Sequence, residues 1–82
     1  MKKTTYITTR FDVKDGFYVL VSPSVSEVNG ENMYDFFLGL NGYGIESHMF
    51  GLYEKDCHPD TWEELIENNI DEYIRGFIAD ME

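Results

Sequence analysis

Apolar and polar positions alternate from Thr4 to Val13. Ile7, Thr9, Phe11 and Val13 share one parity, and Tyr6, Thr8, Arg10 and Asp12 share the other. That period of two predicts a half-buried strand. Asp15-Gly16 follows, a pair suited to a type I′ hairpin turn, whose two central residues both take positive φ. A two-residue loop there sets Phe11 opposite Leu20 and Val13 opposite Tyr18. Phe17 to Val21 is apolar on both parities, which predicts an interior strand. Pro23 should end that strand or place it near an edge.

Ser22 to Asn32 reads as a loop or tight turn around Asn29-Gly30. Met33 to Leu40 fits a strand or a helix that is apolar nearly all round. As a strand it sets Tyr34, Phe36, Leu38 and Leu40 on one face and Asp35 on the other. The turn-forming Asn41-Gly42-Tyr43-Gly44, with Ile45 to Tyr53 beyond it reading as a partner strand, favours the strand. Gly51 marks a bulge or a close backbone approach.

At Asp60 the period changes. Trp62, Leu65, Ile66, Ile70, Tyr73, Ile74, Phe77, Ile78 and Met81 recur at steps of three and four. This is one buried face of an α-helix running from Asp60 to Glu82. Pro59 precedes it, and Asp60 with Glu63, or Thr61 with Glu64, fits a capping box. The expected fold is therefore α+β: a four-stranded antiparallel sheet of two hairpins, covered by one long C-terminal helix, ββββα. Residues 1–82 form a single domain, because 82 residues leave no room for a second core.

Charge adds the most to this picture. The net charge is −10, from 16 acids and 6 basic residues. Four of the cations, Lys2, Lys3, Arg10 and Lys14, lie in the first fourteen residues. Beyond them only Lys55 and Arg75 offset every acid except Asp12. Such a field repels nucleic acid and anionic membrane and attracts basic proteins. No apolar run approaches the ~18 residues of a membrane span. The start, MKKTTYITT, lacks the apolar core of a signal peptide. A lone cysteine, Cys57, suits a reducing compartment. Together these lead to the expectation of a cytoplasmic protein, monomeric or weakly dimeric.

The helix gives the charge a shape. Asp60, Glu64, Glu67 and Asp71 follow steps of four, three and four and stack into a negative stripe, with Glu63 and Glu72 beside it and only Arg75 interrupting. Neighbouring charges fall about 5–6 Å apart, comparable to successive phosphates of a nucleic-acid strand. The stripe thus offers phosphate-like carboxylates to a Lys/Arg groove. The alternative is a solvated helix face whose mutual repulsion is carried by packing. Tyr43, at a turn tip, is the tyrosine best placed to meet a partner.

Other chemistry finds less support. Cys57, His58 and His48, with Asp56 and Asp60 nearby, lack paired zinc-ligand spacing. No third orienting group or oxyanion site is evident for a Cys–His nucleophile. Phosphate-binding glycine loops and EF-hand spacing are absent. No catalytic residue, metal ligand or cofactor is expected, and the chain reads as a non-enzyme.

In its size, acidity, tyrosine content and want of a catalytic motif, the chain resembles the small inhibitors that phages carry against host defences, anti-CRISPR proteins in particular. The resemblance implies a non-catalytic inhibitor in the host cell cytoplasm. It would bind a basic nucleic-acid-handling protein, such as a CRISPR effector, and occlude its DNA or RNA surface by negative-charge mimicry. The expected contact residues are Asp60, Glu63, Glu64, Glu67, Asp71, Glu72 and Tyr43. Two further classes remain: an antitoxin or immunity protein neutralising a basic toxin, and a small metal protein or enzyme using Cys57 and His58.

Overall fold

The computed structural model describes the backbone of residues 2–5 and the whole of residues 8–81. Tyr6, Ile7 and Glu82, which belong to the expected first strand and helix, lie outside the described residues. The chain is an antiparallel sheet in the order β1-β2-β3-β4-β5, followed by one helix. The strands are β1 (Lys2–Thr5), β2 (Thr9–Asp12), β3 (Phe17–Val25), β4 (Asn32–Leu40) and β5 (Glu46–Tyr53), and α1 spans Trp62–Met81. The four expected strands and the covering helix are all present. One strand is added: the stretch read as Thr4–Val13 is folded back on itself, pairing Lys2 with Asp12 and Thr5 with Thr9. A period of two persists through a hairpin, so alternation alone does not mark the reversal.

The Asp15-Gly16 turn forms with both residues at positive φ, 54° and 81°. Phe17 N–H donates to Lys14 O at 2.9 Å and closes it. The register beyond is one residue from the expected one. Phe11 faces Val19 and Asp12 faces Tyr18, because Val13 N–H also donates to Phe17 O, at 3.1 Å. Val13 and Lys14 therefore share one partner, a bulge. The reason lies in the core. Phe11, Val19 and Val21 are all buried, and a slip of one residue would send Phe11 to the opposite face from Val19.

β3 is the interior strand that its apolar residues require. It runs past Pro23 to Val25, further than expected, but β2 pairs with it only as far as Val21. Pro23 therefore sits where β3 is paired to β4 alone, and its missing N–H costs the sheet nothing on the open side. Residues 33–40 are strand. Gly51 is a close approach, since a Cβ there would lie 2.8 Å from an Asp35 carboxylate oxygen. The bulge in β5 falls at Met49, between Phe50 opposite Phe36 and His48 opposite Phe37.

The helix covers one face of the sheet. Trp62, Ile66, Ile70, Ile74 and Phe77 are buried against Phe11, Phe17, Val19, Val21, Phe36 and Leu38. Ring contacts tie the layers: Phe77 meets Phe17 edge-on at 5.5 Å, and Trp62 meets Tyr34 at 4.8 Å. Two members of the expected buried face are outside it. Ile78 and Met81 are 43% and 41% exposed: Ile78 lies about 100° around the helix from the middle of the buried side, and Met81 comes one turn after the last buried residue, Phe77. The helix start also differs from either capping box. Pro59–Thr61 forms a 3-10 turn capped by His58. His58 Nδ1 accepts from Asp60 N–H at 3.2 Å, and its carbonyl accepts from the Thr61 hydroxyl at 2.7 Å.

Candidate interaction surface

Glu63, Glu64, Glu67, Asp71 and Glu72 of α1 are exposed, as is Asp60 in the turn before it. Glu64, Asp71 and Glu72 lie on the circumference away from the buried side, and Glu67 flanks that side. Glu63 is in line with Ile66 and Ile70 and stays exposed in the first turn, where it lines a cleft with Phe11. Like charges one turn apart cost a few tenths of a kcal/mol per pair. Truncating one buried isoleucine would cost about 2–5 kcal/mol. Packing therefore carries the repulsion easily.

The acids divide into two edges. Asp60 and Glu63 line a cleft with Phe11, and Glu67 and Asp71 line the next groove with Val13 and Lys14. Glu64 turns the other way and lines a groove with Asp56 and Asn68 on the β5 side. Asp60 stands in a 3-10 turn, so α-helical stacking begins only at Trp62.

Among the described side chains, which do not include those of Lys2 and Lys3, cations are scarce near this surface. Lys14 pairs with Asp71, and its hydrogen bond and charge, helped by Arg75, hold the Asp71 carboxyl below 3.8. Arg10 pairs with Asp12 at 2.9 Å and Lys55 with Glu31 at 3.1 Å. Among the described residues no cation pairs with Glu63, Glu64, Glu67 or Glu72.

Tyr43 is separate from the acids at the start of the helix. It is 40% exposed, and its ring lies against Phe77 at 5.5 Å. Glu63 and Phe77 are fourteen residues apart on α1, a rise of about 21 Å. Tyr43 thus belongs to the far end of the helix, a separation that the chain order does not reveal. There it lines an apolar groove with Ile45, Phe77 and Met81.

The sheet face away from the helix carries a second polar arrangement that sequence reading did not anticipate. Arg10 stacks over the Tyr18 ring at 4.1 Å and donates to Asn41 Oδ1 at 2.8 Å. The Tyr18 hydroxyl donates to Glu46 at 2.9 Å. Burial and then the Glu46 bond raise the Tyr18 phenol above 10.0, against a lowering by Arg10. On the same face, His48 Nε2 lies 3.1 Å from Asp35 Oδ1. Their common signal is parity: each strand places these residues opposite its buried ones.

Cys57 is buried, 3% exposed, while the adjacent His58 is exposed and occupied at the turn before α1. No group of three or more His, Cys, Asp or Glu side chains converges as a metal site among the described residues. No helix there is long and apolar enough to cross a membrane. Compared with known proteins, the chain matches no family model, no curated protein and no solved structure.

Proposed function

We propose that this protein is a non-catalytic acidic inhibitor that binds a basic, nucleic-acid-handling protein, such as a CRISPR effector, and covers its DNA or RNA surface. The observation that carries this reading is the exposure of Glu63, Glu64, Glu67 and Glu72 with no paired cation among the described residues, on a helix anchored by its apolar side. A rigid support matters because carboxylates held in place lose little freedom on binding. Their charge steers a basic partner, so association is fast and weakens as salt rises. Asp71 contributes less than its neighbours, since Lys14 already neutralises it.

The test is capture from nuclease-treated host lysate, followed by competition between the protein and nucleic acid for the captured partner. The triple variant E63K/E64K/E67K changes only exposed side chains and should fold normally. It should lose most of its affinity and its ability to displace nucleic acid. Equal affinity in that variant overturns the reading. Capture of a small basic toxin would instead identify an antitoxin that uses the same surface. Replacing Cys57 and His58 together should leave inhibition intact, and a loss of activity in a folded variant would revive the enzyme or metal reading.

A further inference from the structure

We infer that the partner is anchored in the apolar groove between the β4–β5 turn and the last turn of α1, and that the anchoring segment combines a large apolar side chain with flanking Lys or Arg. Tyr43, Ile45, Phe77 and Met81 form the apolar part of this groove, with a volume of about 280 Å³. Ile45 is 63% exposed and Met81 41%. Ile78, 43% exposed, extends the apolar surface around the helix. The apolar period of α1 continues for a turn after the sheet has ceased to cover it, leaving large side chains in water. The Tyr43–Phe77 ring contact gives the groove a firm wall.

Charge selects the occupant. Among the described residues Asp80 is the carboxylate that lines the groove from α1, and no cation lines it. Glu46 borders the groove as well, but its carboxylate is turned to the Tyr18 hydroxyl on the outer face of the sheet. A second copy of the chain fits poorly, because a two-fold contact would bring Asp80 towards its own counterpart between two proteins of net charge −10 each. Nucleic acid and anionic lipid meet the same repulsion. A basic segment with a Leu, Phe or Met between its cations suits both the apolar floor and the Asp80 carboxylate.

This inference rests on the proposal of a basic partner and adds where it is held. Exposed acids chiefly set the encounter rate, whereas buried aromatic and aliphatic anchors chiefly set the lifetime. Glu63, Glu64 and Glu67 would then govern association, and the groove would govern dissociation.

The experiment uses the full chain and two synthetic peptides of equal length and charge, one an amphipathic Leu/Lys helix and the other Lys/Ser. Binding is followed by amide NMR shifts. The Leu/Lys peptide should shift the amides of Tyr43, Ile45, Asp80 and Met81, and the Lys/Ser peptide should leave them in place. The variant I45S/M81S alters only exposed side chains, and should bind the Leu/Lys peptide at least roughly tenfold more weakly. The inference is overturned by equal affinity in I45S/M81S, by shifts confined to Glu63–Glu72, by binding of neither peptide, or by concentration-dependent self-association through these same residues. Weakened binding in E63K/E64K/E67K with none in I45S/M81S removes the groove and leaves the acidic surface standing. The converse removes the acidic surface and leaves the groove.

Discussion

Lys14 reaches from the β2–β3 turn to the carboxylate of Asp71 and ties the hairpin to the middle of α1. The Lys14 hydrogen bond is the main cause of the lowered Asp71 pKa. A carboxyl lowered in the folded state stabilises it above the unfolded pKa, and that contribution is lost as pH falls through the folded value. Lys14→Met should return Asp71 towards 3.8, as read by a side-chain carboxyl NMR titration. The same variant exposes one more unpaired acid, so affinity for a basic partner should hold or rise. A clear loss would place Lys14 itself at the contact.

Tyr18 lies across Gly39 on the outer face of the sheet. A Cβ at Gly39 would come within 2.3 Å of the Tyr18 ring. The ring could swing away only by leaving Arg10 and Glu46. Gly39→Ala should therefore cost about 1–2 kcal/mol, the scale of one hydrogen bond with a cation–π contact. Most of that cost should vanish in a Tyr18→Ala background, since the clash and the lost contacts are then both absent. Urea denaturation of the four proteins of this cycle measures it, and additive costs would disprove the coupling.

Asp35 sits between opposing influences. Burial raises its carboxyl, but hydrogen bonds with Ser24 and His48, with the His48 charge, outweigh burial and hold it below 3.8. Its stabilising effect is therefore present above the unfolded pKa and lost as pH drops through the folded value. Asp35→Asn should destabilise the protein by about 1 kcal/mol at neutral pH, as expected for a hydrogen bond to a charged group that is partly exposed. The gap between variant and parent should close at acid pH, below the lowered folded pKa, where both side chains are neutral. Denaturation at the two pH values tests this, and a constant gap contradicts it.

Trp62 is 6% exposed, yet its indole N–H has no hydrogen-bond partner among the described residues. A buried unpaired donor costs about 1–3 kcal/mol. Trp62→Phe removes that donor while leaving a cavity worth roughly 1 kcal/mol. The two effects oppose, so the variant should lie within about 1 kcal/mol of the parent in stability. Trp62→Ala, which loses the rings as well, should cost about 3–5 kcal/mol. Thermal or urea unfolding would separate these outcomes.

Much of the architecture was legible in the chain because it rests on local chemistry. The change of apolar period from two to 3.6 places the helix after the strands. The Asp15-Gly16 pair specifies its turn, and Phe17–Val21, apolar on both parities, identifies an interior strand. The outward position of Glu64, Glu67, Asp71 and Glu72 follows from the same helical period that buries Ile66 and Ile70, whereas Glu63 shares their face and is exposed because it stands in the first turn. Each of these features depends on residues within a few positions of one another.

The remaining features arise where distant segments meet. The bulge at Val13 and Lys14 exists because Phe11 and Val19 must reach the same core, a demand that the turn residues alone do not encode. The fifth strand depends on Lys2–Thr5 folding back onto Thr9–Asp12, which a period of two permits but does not signal. Lys14 and Asp71 are 57 residues apart, and only the packing of helix on sheet makes one cancel part of the other's charge. The same packing separates Tyr43 from the acids at the start of α1 and leaves Ile45 and Met81 facing water together. Local periodicity decided which side chains are buried or exposed; tertiary contact decided which exposed ones became neighbours, since adjacency across elements depends on register and on where each layer ends.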